Sequence, residues 1–166
     1  MVSNPIPTGF HIAQINMARA RASLEDPLLA DFVARLDEIN ALADRSPGFV
    51  WRLQTDAGDA TDIEIGGDPR LIVNMSVWES PEALFDYVYK SGHLRVLSRR
   101  TEWFERLETP AVALWWIPVG TFPAIEDGLA RRDHLARHGS TEWAFTFKAR
   151  FPAPTGLADR VTAESQ

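Results

Sequence analysis

The sequence predicts an α+β domain built on one antiparallel sheet that carries helices. Three observations predict it. Two runs, Leu71-Ile72-Val73-Asn74-Met75-Ser76-Val77-Trp78 and Val112-Ala113-Leu114-Trp115-Trp116-Ile117-Pro118, read as strands rich in β-branched and aromatic residues. Apolar residues recur at helical spacing between the strand-like runs. The order of these signals is strand, helix, strand, strand, helix, strand, with a further helix and strand after them.

The elements follow in turn. Residues 1–9 hold two prolines and a glycine and read as an irregular arm. Phe10 to Asn16 alternates enough for a first strand. Pro27 stands at a first helical position with Asp26 as cap. From there Leu28, Leu29, Phe32, Val33, Leu36, Ile39, Asn40 and Ala43 keep helical spacing, and Ser46-Pro47-Gly48 is the stop. Phe49 to Leu53 is a second strand. Residues 55–70 form a loop rich in Gly and Asp. Its acidic residues Asp56, Asp59, Asp62 and Glu64 do not have the spacing of a calcium loop.

After the third strand, Ser80 caps a helix with Pro81 first and Glu82 in the first turn, and it runs to about Lys90. Ser91-Gly92 is a pause. A second helical piece is expected from His93 to Leu107, ended by Thr109-Pro110. The double-tryptophan strand comes next. Pro123 to His138 reads as helix, with Gly139 as its stop. Trp143 to Lys148 alternates as a last strand, and residues 152–166 read as a loose tail. The domain is therefore expected over 10–151.

The first six elements spell βαββαβ, the ferredoxin-like plan. On the 112–118 strand, Val112, Leu114 and Trp116 take one face and Ala113, Trp115 and Ile117 the other, so both faces are apolar. Each buried indole is worth roughly 2–3 kcal/mol, so solvent on either face is costly. Helices cover one face. A second copy across a two-fold axis is the simplest cover for the other, which predicts a homodimer whose two sheets form a shared barrel.

Composition excludes several functions. The chain has 166 residues, a net charge of −6 and no cysteine. Counterion release on nucleic acid needs clustered Lys and Arg, and only Arg99-Arg100 and Arg131-Arg132 come close. Without cysteine there is no disulfide, thiolate catalysis or zinc–sulfur site. No apolar run reaches membrane-spanning length. Met1 to Pro5 lacks the features of a secretory signal, so the expectation is a cytoplasmic protein with neither membrane nor nucleic-acid partner.

Several stretches together resemble the family of domains of unknown function designated DUF3291. They are Leu71 to Trp78, Phe85 to His93, Arg99 to Phe104, Leu114 to Pro118, Arg131 to Gly139 and Ala144 to Phe147. The resemblance spans about Phe10 to Phe151 and is most specific from Val73 to Pro118. That family is similar to the dimeric α/β-barrel superfamily, which includes antibiotic-biosynthesis monooxygenases that need no cofactor, haem-degrading enzymes, muconolactone isomerase-like proteins and plain stress-response barrels. The resemblance implies the fold and a small-molecule pocket, and no single reaction.

The residues supply candidates for such a site. Ile72, Asn74, Ser76 and Trp78 share one face of the third strand; Leu71, Val73, Met75 and Val77 take the other, which fits packing on helices. The mixed polar and aromatic face suits a ligand pocket or a wet dimer interface. Gln14 and Asn16 on the first strand and Thr146 near the end extend it. His93 stands at the mouth of a helix, where the dipole favours neutral imidazole. It is a candidate base toward a phenol or enol, or a ligand for haem iron; a helix-capping histidine is the plain alternative. On one helix His93, Leu97, Arg100 and Phe104 form a stripe, making Arg100 an anion clamp. Asn74 would hold developing oxyanion charge.

Trp78, Tyr87, Tyr89, Trp103, Phe104, Trp115 and Trp116 form an aromatic set that suits flat phenolic substrates or an ordinary core. The substrate-binding candidates are Trp78, Tyr89, Trp103, Trp116, Ser76 and Gln14. His134 and His138 share a helix face, but Arg131, Arg132 and Arg137 surround them, so a solvated basic helix end is expected and no metal site. No phosphate loop or nucleophile elbow is present, so nucleotide and flavin have no motif to hold them. The expectation is an enzyme with an aromatic-lined pocket and no cofactor. It would carry out monooxygenase-like or cyclase/isomerase chemistry on an aromatic or polyketide-like substrate. A haem-binding barrel with His93 as ligand and a non-catalytic binding barrel stay open beside it.

Overall fold

The computed structural model describes residues 9–55, 58–61, 63–107 and 110–154. The arm expected over 1–9 and the tail expected over 152–166 fall mostly outside these residues, as do Asp56, Asp62 and Thr109. The elements are β1 (Phe10–Ala20), a 3-10 turn (Pro27–Leu29), α1 (Ala30–Asp44), β2 (Phe49–Arg52), β3 (Leu71–Trp78) and α2 (Pro81–Lys90). There follow α3 (His93–Ser98), α4 (Arg100–Trp103), β4 (Phe104–Glu105), β5 (Val112–Pro118) and α5 (Ile125–His138).

Local chemistry sets the helix starts. Asp26 Oδ1 accepts from Leu28 N at 2.9 Å, and Pro27 opens the turn that leads into α1. Ser80 Oγ accepts from Ala83 N at 3.1 Å at the head of α2. Gly48 turns the chain into β2 at φ +80°; a Cβ there would lie 2.6 Å from Ala83 Cβ. Only glycine lets this turn approach α2 so closely.

The sheet is antiparallel with β1 and β3 central. β2 flanks β3, and β5 and the short β4 flank the other edge of β1. The order β2-β3-β1-β5 with α1 and α2 between strands is the ferredoxin-like arrangement. Register places Gln14 opposite Ser76 and Asn16 opposite Asn74.

Both faces of the sheet are roofed by the chain itself. On one face Ala13, Ile15, Met17, Val73, Met75, Val77 and Trp115 pack with Leu135, Ile125 and Leu129 of α5. On the other, Ile12, Trp78 and Leu114 pack with Leu84, Tyr87 and Val88 of α2, Ala43 of α1 and Phe145. Further along that second face, Ala20 and Ile72 meet Phe32, Leu36, Val96, Trp103 and Phe104. This corrects the premise of a bare face. The helix pair α1/α2 lies on the Asn74/Trp78 side, the face expected to meet a second copy, and α5 covers the Met75 face. Gly128 allows it: a Cβ there would meet Met75 Sδ at 2.6 Å and Ile15 Cδ1 at 2.8 Å.

Two elements differ from the sequence expectation. The helix expected from His93 to Leu107 breaks at Arg99 and ends at Trp103, after which Phe104 and Glu105 pair with β1. Burial decides this, because Trp103 and Phe104 both pack on Phe32, with ring centroids 5.6 and 4.9 Å away, and adjacent residues of a continuous helix do not face the same neighbour. The strand expected over 143–148 is reduced to one bridge, Phe145 with Leu114, whose two backbone bonds are 2.8 and 2.9 Å. A turn linking Thr146 and Ala149 then brings Phe151 back over the sheet. Phe145, Phe147 and Phe151 all reach the same apolar cluster; six residues of straight strand would carry Phe151 about 20 Å from Phe145, whereas the turn leaves their ring centroids 6.1 Å apart.

Candidate functional site

A polar stripe crosses the α1/α2 face of the sheet between its two apolar clusters. It runs from Asn16 and Gln14 on β1 to Asn74 and Ser76 on β3 and Arg52 on β2, since directly opposed residues of antiparallel strands share a face. Arg52 reaches this face through a register shift between Phe49 and Trp51. The shift keeps Phe49 against Trp78, with ring centroids 5.4 Å apart, while Trp51 packs on the α5 side.

The stripe is wired. Gln14 Nε2 donates to Asn74 Oδ1 at 2.7 Å and to Ser76 Oγ at 2.8 Å. Trp78 Nε1 donates to the same Ser76 oxygen at 2.9 Å. Gln14 and Ser76 are each 6% exposed, and Trp78 is fully buried. Asn74, at the centre of the sheet, is exposed. Its Nδ2 donates to no described residue, so it is a free hydrogen-bond donor on a rigid strand. A buried polar network of this kind holds its members in one geometry.

One end of the stripe is aromatic. Tyr87 stacks on Trp78 at 5.0 Å and 25°, and its hydroxyl donates to the Ile39 carbonyl at 3.1 Å, tying α2 to α1. Burial pushes the Tyr87 hydroxyl well above its ordinary range. The His93 ring lies 4.9 Å from that of Tyr87. His93 Nδ1 lies 3.2 Å from the Val88 carbonyl. A carbonyl only accepts, so Nδ1 carries the proton and Nε2 keeps its lone pair. Burial lowers the His93 pKa, which the Val88 bond only partly opposes. Burial therefore favours the neutral imidazole, with the Nε2 lone pair unprotonated. Ser91 sets its place, donating to the Tyr87 carbonyl and accepting from His93 N at 3.2 Å.

Arg52 is a functional candidate that sequence reasoning missed. Its half-buried side chain forks onto Asp44 at 2.7 and 3.3 Å, while Nη1 donates to the Gly58 carbonyl at 2.7 Å. Its charge is thus already paired beside Ser76. Simple alternation would place Arg52 with Val50; nothing in the residue pattern reveals the register shift.

Residues 11–161 match the model of the family described as Domain of unknown function (DUF3291). The chain belongs to this family. No curated protein matches it. Among solved structures, a cofactor-independent oxygenase from Streptomyces nogalater, SnoaB, is 16% identical, with a TM-score of 0.48 over 70% of this chain and 100% of its own. NE2512, a protein of unknown function from Nitrosomonas europaea, is 13% identical, with a TM-score of 0.48 over 69% and 96%. PA3566 from Pseudomonas aeruginosa is 16% identical, with a TM-score of 0.40 over 68% and 97%.

The other candidates of this DUF3291 chain stand apart from the stripe. Arg100 is exposed and donates to the Leu97 carbonyl at 2.9 Å. The break at Arg99 puts it on a different helix from His93, so the stripe expected to join His93, Arg100 and Phe104 does not form. Trp103 is 1% exposed, 5.6 Å from Phe32, a core position. Trp116 donates from Nε1 to the Phe151 carbonyl at 2.9 Å. Tyr89 is exposed and lies 4.7 Å from Phe85. Thr146 lies in the turn that leads to Ala149. His134 Nε2 meets Thr141 Oγ1 at 2.8 Å, so that helix end is tied to its neighbouring turn and is not simply solvated. Among the described residues no group of three or more His, Cys, Asp or Glu converges to hold a metal. Among them also, no helix is long and apolar enough to cross a membrane.

Proposed function

We propose that the exposed side of Asn74 opens onto a groove that binds a flat aromatic or polyketide-like compound and converts it without a cofactor, by monooxygenase-like or cyclase/isomerase chemistry. One observation carries this reading. An exposed carboxamide with a free NH2 sits at the centre of a sheet, at the end of a buried network that includes Trp78. Exposure at such a position invites a ligand, and a fixed N–H donor stabilises oxygen charge that develops on it. His93 Nε2 supports the same reading as a neutral base. A phenol or enol that loses its proton to an imidazole becomes an electron-rich anion that Asn74 can hold. Trp78 and Tyr87 would form the wall nearest the network. Arg100, Tyr89, Trp103 and Trp116 enter only if the groove extends to them.

The test is turnover. Tricyclic phenols and ketones are incubated with the protein without added cofactor, and oxygen uptake and product absorbance are followed. Asn74→Ala is expected to lower kcat/KM at least tenfold, or about 1.4 kcal/mol. Binding without turnover in every case would leave the non-catalytic barrel as the answer.

The free Nε2 of His93 also favours a second reading, haem ligation, because a ligating histidine holds its other nitrogen on a carbonyl. Hemin titration should then give a Soret shift that His93→Ala abolishes. The homodimer expected from the sequence no longer has a bare face to explain it, and sedimentation at micromolar concentration decides whether copies pair by other surfaces.

A further inference from the structure

Gln14 is itself enclosed, and both of its amide protons are used inside the protein, one on Asn74 Oδ1 and one on Ser76 Oγ. Its Oε1 bonds no described residue. Turned over, the carboxamide would carry its two N–H groups to that side and leave Asn74 to present its NH2 to Gln14 and its oxygen outward. Among the described residues no buried side-chain nitrogen or oxygen lacks a partner, so that side meets solvent, and the observed orientation is the one that gives both Gln14 N–H groups acceptors inside the protein. Asn74 then has no choice of its own. Its Oδ1 is held by Gln14, and its NH2 is the group left for the groove.

We propose that Gln14 is a positioning residue that sets the hydrogen-bond polarity of the groove. It holds Asn74 with the NH2 outward, so the site selects ligands that present an acceptor oxygen, such as a ketone, quinone or enolate, over ligands that present only donors. The inference rests on the reading of the groove as a binding site for flat aromatic compounds. It also moves Gln14 from the substrate-contacting role expected from the sequence to a supporting one. Discrimination of this kind arises because a mismatched ligand sets donor against donor and leaves a desolvated polar group unpaired.

Two measurements test it. The first needs no ligand. Side-chain amide hydrogen exchange, read by NMR on 15N-labelled protein, should show the Gln14 NH2 exchanging at least tenfold more slowly than the Asn74 NH2. The reverse order overturns the proposal. The second compares 1,4-naphthoquinone, which only accepts, with 1,5-diaminonaphthalene, which presents N–H donors, by calorimetry. Wild type should favour the quinone about tenfold. Gln14→Met, of similar volume, should erase the preference, and Asn74→Asp should reverse it. An unchanged preference in Gln14→Met overturns the positioning role. If Gln14→Met does not fold, the exchange order in wild type decides. A wild type that binds neither compound sinks the groove reading, while the exchange order still tells whether Gln14 orients Asn74.

Discussion

Trp78 and Gln14 share a single acceptor, donating to Ser76 Oγ at 2.9 and 2.8 Å from opposite strands. One hydroxyl therefore fixes both the aromatic end and the polar centre of the stripe. Removing it strands two buried donors together, so Ser76→Ala should cost about 2–4 kcal/mol, at one to two kcal/mol for each donor. Urea denaturation measures this. A loss below about 0.5 kcal/mol would mean that water replaces the hydroxyl. Ser76→Thr keeps the oxygen and should recover much of the loss.

His93 should make stability depend on pH. Its pKa is lowered in the folded state by burial, so between that value and the ordinary 6.5 the unfolded chain binds more protons. The histidine's contribution is present above about pH 6.5 and is lost as pH falls through the folded value. Melting curves from pH 8 to 5 should fall more steeply for wild type than for His93→Gln. Parallel curves would place the ring in solvent.

Gly128 and Met75 should be coupled. Gly128→Ala forces a Cβ toward Met75 Sδ and Ile15 Cδ1, and overpacking of this kind costs about 1–3 kcal/mol. Met75→Ala alone opens a cavity in the same core, at about 2–5 kcal/mol. Together they should cost less than their sum, and a double-mutant cycle by chemical denaturation reads the difference.

Trp103 and Tyr89 should respond in opposite ways. Trp103 is sealed against Phe32 under the Arg99 guanidinium, which lies 4.7 Å above its ring, whereas Tyr89 is 41% exposed. Trp103→Ala should cost about 3–5 kcal/mol. Tyr89→Ala should stay near 0.5 kcal/mol in thermal melts, as surface changes do.

The sequence announced those parts of the fold that local chemistry dictates. The Asp26 and Ser80 caps, the prolines after them and the alternating runs at Leu71 and Val112 each carry their own instruction. What it withheld depends on contacts far along the chain. Arg99 is an ordinary helix residue; the helix gives out after it because the adjacent Trp103 and Phe104 both pack on Phe32, which neighbours on one helix cannot do. The Gly128 signal was present, since a glycine inside a helix costs about 1 kcal/mol against alanine and signals close approach. It named no partner, however, so nothing in the sequence assigned α5 to the Met75 face and the helix pair α1/α2 to the Asn74/Trp78 face.

The candidate site was legible to the same extent. Asn74, Ser76, Trp78 and Gln14 share a face by simple alternation, and register brings them together. Arg52 was hidden by a one-residue slip in β2. Arg100 was lost for the opposite reason, because helical spacing promised a continuity that the break at Arg99 removed.

A roof tethered to its own sheet is present at one copy per molecule whatever the solution holds. Cover borrowed from a neighbour is lost on dilution by mass action, but the shelter that α5 gives Ile15 and Met75 is unimolecular. The melting temperature owed to it should be the same at nanomolar and millimolar protein.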